Sequence, residues 1–535
     1  MSVSALKRAM LQQPQLPLWL TYLWQRRAGN ERLGLVLGAG VSADAGCPRW
    51  PELVERLTKA MKVPLRQMEC HRQAGRTATF IAEVLFRKHV RKHQATHRPS
   101  KFRDFLVHAA WHQKVHGCLY ADIADKDFST ITRRHPYLKA LAQLICKTGF
   151  AVTFNFDNII DEAVTKCAAR RGTPNPEIII RPKVEPRKDA PVIYHINGYL
   201  QREKPRRSSD RIVLTEDAFA DILLSPNSQE AEFVINQFAV RTFILLGISL
   251  NDNSLKNLLR SSAKRNPANH HFIIYHEQDG APRELKERED IFFVNLKVYN
   301  LISVFLTTTE IKALIDMLNL DGPEFDISLR NLSPDGINRK YYLVGAVASG
   351  KTSVLEALRC FTTHEEWSGR PPAEMYIEDN TLTKEQQRIV HKFLFPQMVG
   401  KNRRMARKVP AIRVMDRAYL DMFAFSKGAK EINRKATELR KHFARSRKGF
   451  EDGHIFFLRA SKITLRERMA RRGGTKKKGQ KPFSATSLVK QGEKLKQIYR
   501  PENISVFDTT DSTVDETAKK SLTLYSWCPI PNFSL

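Results

Sequence analysis

Only seven cysteines occur in 535 residues, at positions 47, 70, 118, 146, 167, 360 and 528, and no two of them are spaced as C-x-x-C. A four-cysteine zinc module is therefore not expected. Odd in number and scattered, they also do not make a disulfide framework, which points to a reducing compartment. Long apolar runs are missing too: no stretch approaches the roughly 18 residues of a membrane span. The opening stretch MSVSALKRAMLQQPQLPLWLTYLWQ holds no continuous apolar core of signal-peptide length. A cytoplasmic location without a membrane partner is the expectation. Acidic charge is in deficit, with 56 Asp+Glu against 88 Lys+Arg and a formal net charge of +32. Such a surface attracts polyanions, whether nucleotides, nucleic acid or an acidic partner. Internal repeats are absent, and the nearest thing to low complexity is RRGGTKKKGQK at 471–481.

What is present fits two or three domains, because 535 residues exceed what one core usually organises. Three units of strand, polar motif and helical period fall in the first 300 residues: LGLVLGAG, GFAVTFNFDNIIDEAV and TFILLGISLNDNSLKNLL. PVIYHING and HHFIIYHE are further strand candidates. This is the pattern of an α/β fold with a doubly wound parallel sheet, whose ligands gather at the carboxyl ends of the strands. Residues 66–134 read as a helical insertion. Residues 320–340, LDGPEFDISLRNLSPDGINRK, have turn and linker chemistry. The expected organisation is a first domain over 1–319, that linker, and a second doubly wound α/β domain over 341–535.

The second domain opens with KYYLVGAVASGKTSVLEALRCF, which fits G-x-x-x-x-G-K-[ST] between a strand and a helical pattern. Gly345 and Gly350 permit a backbone path that aims N–H groups at phosphate oxygens. Lys351 supplies charge, and the Thr352 hydroxyl is a Mg²⁺ ligand. Gly345, Ser349, Gly350, Lys351, Thr352 and Ser353 are thus the candidate residues for ATP or another nucleoside triphosphate. Farther on, AIRVMDRAYLDMFAF offers a strand ending in Asp416 and Arg417, with Asp416 a second candidate for the Mg²⁺ shell or for a substrate hydroxyl. HIFFLRASKITLRERMARRGG then places Arg468, Arg471 and Arg472 on a helix before a basic loop; a solvated helix face is the plain alternative for these arginines. Together these residues resemble the P-loop nucleoside and nucleotide kinases, the deoxynucleoside and thymidylate kinase group, over about 200 residues. The resemblance maps the family's aspartate-arginine motif onto Asp416 and Arg417 and its arginine-rich lid onto Arg468 to Arg472, where lid charge stabilises the transferring phosphoryl group. Glu365 or Glu366 in THEEWSGRPP is the candidate base for the acceptor hydroxyl.

The first loop, RLGLVLGAGVSADAGCPRW, spaces its glycines at 38, 40 and 46, which does not fit the common dinucleotide fingerprint. GAGVSADAGCPRW resembles instead the sirtuin signature. TFNFDNIIDEA, with Asn155 and Asp157, and GISLNDNSL, with Gly247, Ser249 and Asp252, follow in that family's order. The nearest variety is the divergent bacterial sirtuin-like domain of antiphage defence proteins. The resemblance implies that Gly38, Ala39, Gly40 and Ser42 line the phosphates of NAD, and that Trp50 screens the nicotinamide end. It places Asn155 and Asp157 at the nicotinamide ribose and amide, and Gly247 and Ser249 toward the adenosine half, with Asp252 a further NAD-binding candidate. The family's catalytic histidine precedes a glycine, whereas VIYHINGYL has Asn197 there and His195 two positions earlier. Residues two apart share a face of a strand, so His195 and Asn197 both join Asn155 and Asp157 as catalytic candidates, with a structural histidine as the alternative for His195. An asparagine cannot act as a general base, so NAD hydrolysis is favoured over deacetylation.

Three functions stay open on the sequence. The first is an NAD-hydrolysing antiphage effector, yielding ADP-ribose and nicotinamide, held off until the kinase-like domain detects a nucleotide ligand. Self-association or a regulatory partner protein belongs with that reading. The second is a nucleoside or nucleotide kinase regulated by an NAD- or ADP-ribose-binding domain. The third is a nucleic-acid-binding protein, suggested by net charge and by KNRRMARK at 401–408, although that cluster lacks interleaved aromatics.

Overall fold

Strands buried on both faces must be apolar at nearly every position, and that is how most strands of this chain read. In a computed structural model, the described residues are 2–517 apart from 29–31, 97–102, 181–188, 204–211, 219–228, 251, 267–268, 279, 281–282, 335–339, 359–360, 377–382, 407–411, 426–427, 446–450, 452, 472–483, 500–503 and 515. They divide into two units, Met1–Gln13 with Arg26–Ser328, and Pro14–Gln25 with Leu329–Leu535. Each holds one sheet, and every strand pair in both is parallel.

The first unit contains β1 (Leu33–Leu37), β2 (Phe150–Thr153), β3 (Glu177–Ile179), β4 (Val192–His195), β5 (Thr242–Leu246), β6 (His271–His276) and β7 (Leu301–Leu306), in the order β3-β4-β2-β1-β5-β6-β7. β1 pairs with β2 on one side and β5 on the other. The direction of winding therefore reverses at β1, and the loops after β1, β2 and β5 converge at one end of the sheet, where such folds open a crevice. The core beside them is built from Val36, Val152, Phe238, Phe243, Leu245 and Ile273, among others. The stretch read as an insertion is helical, with helices Leu65–Gln73, Ala78–Thr96, Arg103–Tyr120 and Phe128–Arg134.

The second unit contains β8 (Lys340–Gly345), β9 (Thr362–His364), β10 (Arg413–Asp416), β11 (His454–Arg459) and β12 (Ile504–Asp508), in the order β12-β11-β8-β10-β9. Its switch lies at β8, between β10 and β11. Residues 14–25, expected within the first domain, group with this unit. Gln25 donates from Nε2 to Thr362 Oγ1 at 2.9 Å and accepts from Ile412 N at 2.8 Å, and the Tyr22 ring meets Phe361 edge-on. Part of the stretch read as a linker is a helix, Gly322–Leu332. Phe325, Leu329 and Leu332, spaced four and three apart, are buried along one side of it.

Candidate functional site

In the first unit, the loop after β1 and the loop after β5 touch backbone to backbone. Gly38 N donates to Leu246 O at 3.0 Å and Gly40 N donates to Gly247 O at 2.8 Å. A Cβ on Gly247, whose φ is +66°, would stand 2.4 Å from Val41 N, and a Cβ on Gly38 would stand 2.5 Å from Gly247 O. These glycines are therefore required by loop-to-loop packing. The amides of Gly38 and Gly40, expected to face phosphates, are spent on the neighbouring strand and loop.

The loop after β2 inserts beside them. Asn155 Nδ2 donates to Gly38 O at 3.1 Å and to Ser42 Oγ at 3.0 Å. Ser42 Oγ in turn donates to Asp157 Oδ1 at 2.8 Å, and that oxygen also accepts from Ile159 N at 3.2 Å, at the start of the helix Ile159–Arg171. The chain runs in one direction, so the Asn155 amide is held with its nitrogen committed. Its Oδ1 has no hydrogen-bond partner among the described residues. Asn155 is half-buried while Ser42 and Asp157 are buried. Burial pushes the Asp157 carboxyl up, against the Ser42 and Ile159 donors that pull it down. The Trp50 ring lies 5.7 Å from that of Phe156, which stands between Asn155 and Asp157 in sequence. Sequence reasoning thus brings Ser42, Trp50, Asn155 and Asp157 to one place.

His195 and Asn197 are elsewhere. His195 is 0% exposed, with Nδ1 3.2 Å from Asn155 O and Nε2 3.1 Å from Asp161 Oδ1. Both partners offer oxygen atoms, an arrangement that favours the protonated ring. Burial opposes that charge, but the Asp161 carboxylate and the Asn155 carbonyl outweigh it and raise the His195 pKa. The expectation that His195 faces the cleft is corrected: it has no nitrogen left for substrate or water, and it holds the Asn155 backbone instead. Asn197, also buried, spends its Nδ2 on Phe154 O at 3.0 Å and accepts from Val213 N on its carbonyl. β4 ends at His195 and Asn197 lies in the bend beyond it, so the two do not share a strand face; the helix Ile159–Arg171 supplies Asp161 to His195. Asp161 went unnoticed in the sequence, although it stands four residues after Asp157. Tyr120 was missed too. Its phenol, on the helix Arg103–Tyr120, donates to Leu200 O at 2.6 Å and accepts from Asn158 N at 3.1 Å. After β5, Ser249 is exposed and Asp252 Oδ1 accepts from Leu255 N at 3.1 Å, at the start of the helix Asn253–Arg265. Asp252 is thus a helix-capping residue.

In the second unit, the loop after β8 leads into the helix Lys351–Ala357, with Gly350 at φ +98°. Lys351 Nζ folds back on the loop, donating to Gly345 O at 3.1 Å and Ala346 O at 2.8 Å. Burial, reinforced by Arg417, lowers its pKa to about 7. Thr352 Oγ1 donates to Asp416 Oδ2 across the switch at 3.4 Å, while Asp416 Oδ1 and Ser349 Oγ are buried without hydrogen-bond partners. A carboxylate oxygen left bare beside a hydroxyl is what a divalent cation would fill, so Thr352 and Asp416 fit the expected Mg²⁺. Ser353 is exposed on the next position. Arg468 reaches Thr509 with two bonds, Nη1 to Oγ1 at 3.0 Å and Nη2 to O at 2.6 Å, and a Cβ on Gly350 would stand 3.8 Å from its Nη1. Arg471 is exposed, and Arg472 lies outside the described residues.

Arg417 adopts φ +60°, uncommon for a residue with a side chain. Its guanidinium sits between Glu366, at 2.5 Å, and Asp421, at 3.7 Å, held by charge rather than by aligned hydrogen bonds. Tyr499 donates to Asp421. Of the two glutamates weighed as a base, Glu366 is in this cluster and Glu365 is exposed. Lys401 was counted only in a surface basic run. It is 0% exposed, donates to Asp416 O at 2.9 Å and Arg417 O at 3.4 Å, and sits 5.1 Å from the Trp367 ring. Burial lowers its pKa to about 8. Asn402 and Met405 are buried as well, so part of KNRRMARK turns inward; residues 407–408 lie outside the described residues. Among the described residues, no helix is long and apolar enough to cross a membrane.

A family model described as a SIR2-like domain matches residues 149–298, so a SIR2-like domain spans β2 to the helix Leu285–Tyr299. Asn155, Asp157, Asp161, His195, Gly247 and Asp252 fall inside the match; the loop of residues 38–50 does not. No curated protein matches the chain. Among solved structures, a deoxyadenosine kinase from M. mycoides with bound dATP is 16% identical with a TM-score of 0.28, covering 34% of this chain and 97% of that one. A deoxyadenosine kinase from M. mycoides with products dCMP and a flexible dCDP is 14% identical with a TM-score of 0.27, over the same shares. Neither likeness is near enough to assign an activity.

Proposed function

We propose that the first unit hydrolyses NAD and that the second binds a nucleoside triphosphate and controls it. The observation that carries the first half is the fixed Asn155 amide. Two hydrogen bonds donated by Nδ2 lock the rotamer, and the uncommitted Oδ1 is a preorganised acceptor at the sheet's switch point. Cleavage breaks the bond between nicotinamide and ribose, so positive charge develops on the sugar, and a fixed amide oxygen stabilises that charge without reorganising. Nicotinamide leaves with the bonding electron pair, water adds to the sugar to give ADP-ribose, and the proton the water loses passes to solvent. Ser42 and Asp157 act by positioning Asn155. His195 and Asp161 fix the backbone beneath it. The SIR2-like match supports NAD as the ligand class, and the resemblance to divergent defence domains supports a role in antiphage NAD depletion.

The second unit's contribution rests on Lys351 and on the bare Asp416 oxygen next to Thr352. Lys351 would hold terminal phosphates, and Mg²⁺ on Thr352 and Asp416 would neutralise charge between them. The test is to incubate the full chain with NAD, alone and with a panel of nucleoside mono- and triphosphates, and to follow free nicotinamide. Release that rises with a nucleotide and disappears in Asn155→Ala is the expected result; undiminished release in that variant refutes the site. The second reading, a kinase governed by an NAD-binding domain, is favoured by the Arg417–Glu366 pair next to the same loop. Phosphoryl transfer lost in Lys351→Ala, with no NAD turnover under any condition, would select it.

A further inference from the structure

The helix Leu285–Tyr299 is apolar on two sides. Phe292 is buried inward beside Arg288 and Asn295, while Phe293, Val294 and Val298 are 58%, 52% and 40% exposed on the other side. Apolar side chains grouped together on an exposed helix face mark an interaction surface. With 3.6 residues per turn, Asp290, Phe293, Val294 and Lys297 fall on one outer stripe. The charges are placed symmetrically: Asp290 stands three residues before Phe293, and Lys297 three residues after Val294. Asp290 makes no ion pair among the described residues, and Lys297 Nζ lies 5.5 Å over the Phe293 ring of its own helix. Seven residues separate the two charges, roughly 10 Å along the axis, too far for them to pair within one helix.

An antiparallel copy of the same helix satisfies all four residues at once. It sets Asp290 against the partner subunit's Lys297, sets Lys297 against the partner subunit's Asp290, and packs Phe293 on the partner subunit's Val294. We propose that this chain forms a two-fold dimer through the outer face of the helix Leu285–Tyr299, its partner being a second copy. The contact is self-complementary, as a two-fold interface must be, and the opposed charges fix the antiparallel direction. The inference rests on this helix alone and is independent of the activity of either unit.

Light scattering and sedimentation equilibrium on the full chain test it. The wild type is expected to be dimeric at micromolar concentration and Phe293→Asp monomeric. Asp290→Lys and Lys297→Asp are each expected to raise the dimer Kd about tenfold or more, since each sets like charges face to face. An equimolar mixture of those two single variants is expected to dimerise again, because opposite signs then meet at both ends. All three positions are on the outer face, so the fold is preserved. A monomeric wild type, a dimer indifferent to Phe293→Asp, or a mixture no tighter than the separate variants overturns the proposal.

Discussion

Raising the pH from 7 to 8 is expected to weaken nucleoside triphosphate binding about fivefold, or about 1 kcal/mol. Lys351 is 6% exposed, with its Nζ bonded to Gly345 O and Ala346 O. Burial and the neighbouring Arg417 hold its pKa at about 7, so about half of the empty sites carry a neutral amine at pH 7. Phosphate binds the ammonium form, so binding draws in a proton: about half a proton at pH 7 and about nine-tenths at pH 8. Isothermal titration calorimetry with Mg²⁺ present, in buffers of different ionisation enthalpy, reads this number directly. Lys351→Arg keeps its charge throughout and is expected to flatten the dependence. Binding without proton uptake at pH 7, or an unchanged pH profile in Lys351→Arg, would refute the reasoning.

The His195 pKa is raised in the fold, so its stabilising contribution is complete below about pH 6.5 and lost as pH rises through the raised value. The melting temperature of the first unit should fall across that window, and Asp161→Asn should flatten the profile and cost about 3–5 kcal/mol; a flat wild-type profile would count against the imidazolium. Gly247→Ala, which places a Cβ 2.4 Å from Val41 N at φ +66°, should cost about 1–3 kcal/mol in denaturant unfolding. Unchanged stability would mean that the loops after β1 and β5 do not touch. Arg417→Ala strands Glu366 and the buried Asp421 and should cost about 3–5 kcal/mol, read on the second unit's transition; a negligible change would argue against the charge cluster.

Much of the scaffold was legible. β1, β2, β5, β8, β10 and β11 are apolar runs ending in a motif, because a strand covered on both faces leaves little room for polar residues. β3 and β9 were not, since each is only three residues, Glu177–Ile179 and Thr362–His364, at a sheet edge where burial is lighter. The helix Gly322–Leu332 was masked by the Gly, Pro, Asp and Asn around it, although the spacing of Phe325, Leu329 and Leu332 carried the signal. Ser42, Asn155 and Asp157, singled out by motif, hydrogen-bond to one another in the fold. Asp161, Lys401 and Asp421 were not singled out, because a charged residue in a helical stretch is usually on the solvent face, and nothing local in the sequence marks Tyr499 as a partner for Asp421.

The amino-acid order by itself determined the strands, the places where glycine replaces a side chain, and the chemical groups available at each strand end. Which of those ends meet was decided only in three dimensions. Gly40 and Gly247 are distant in sequence, and they touch because β5 lies beside β1. His195 and Asn155 belong to neighbouring strand ends, and only the helix packed over them gives the buried imidazole a carboxylate partner, Asp161, in place of a cleft to face. Local pattern fixes what a residue can offer. Contacts across long loops fix whether water, substrate or another side chain receives it, because they depend on strand order and on the helix that covers each face.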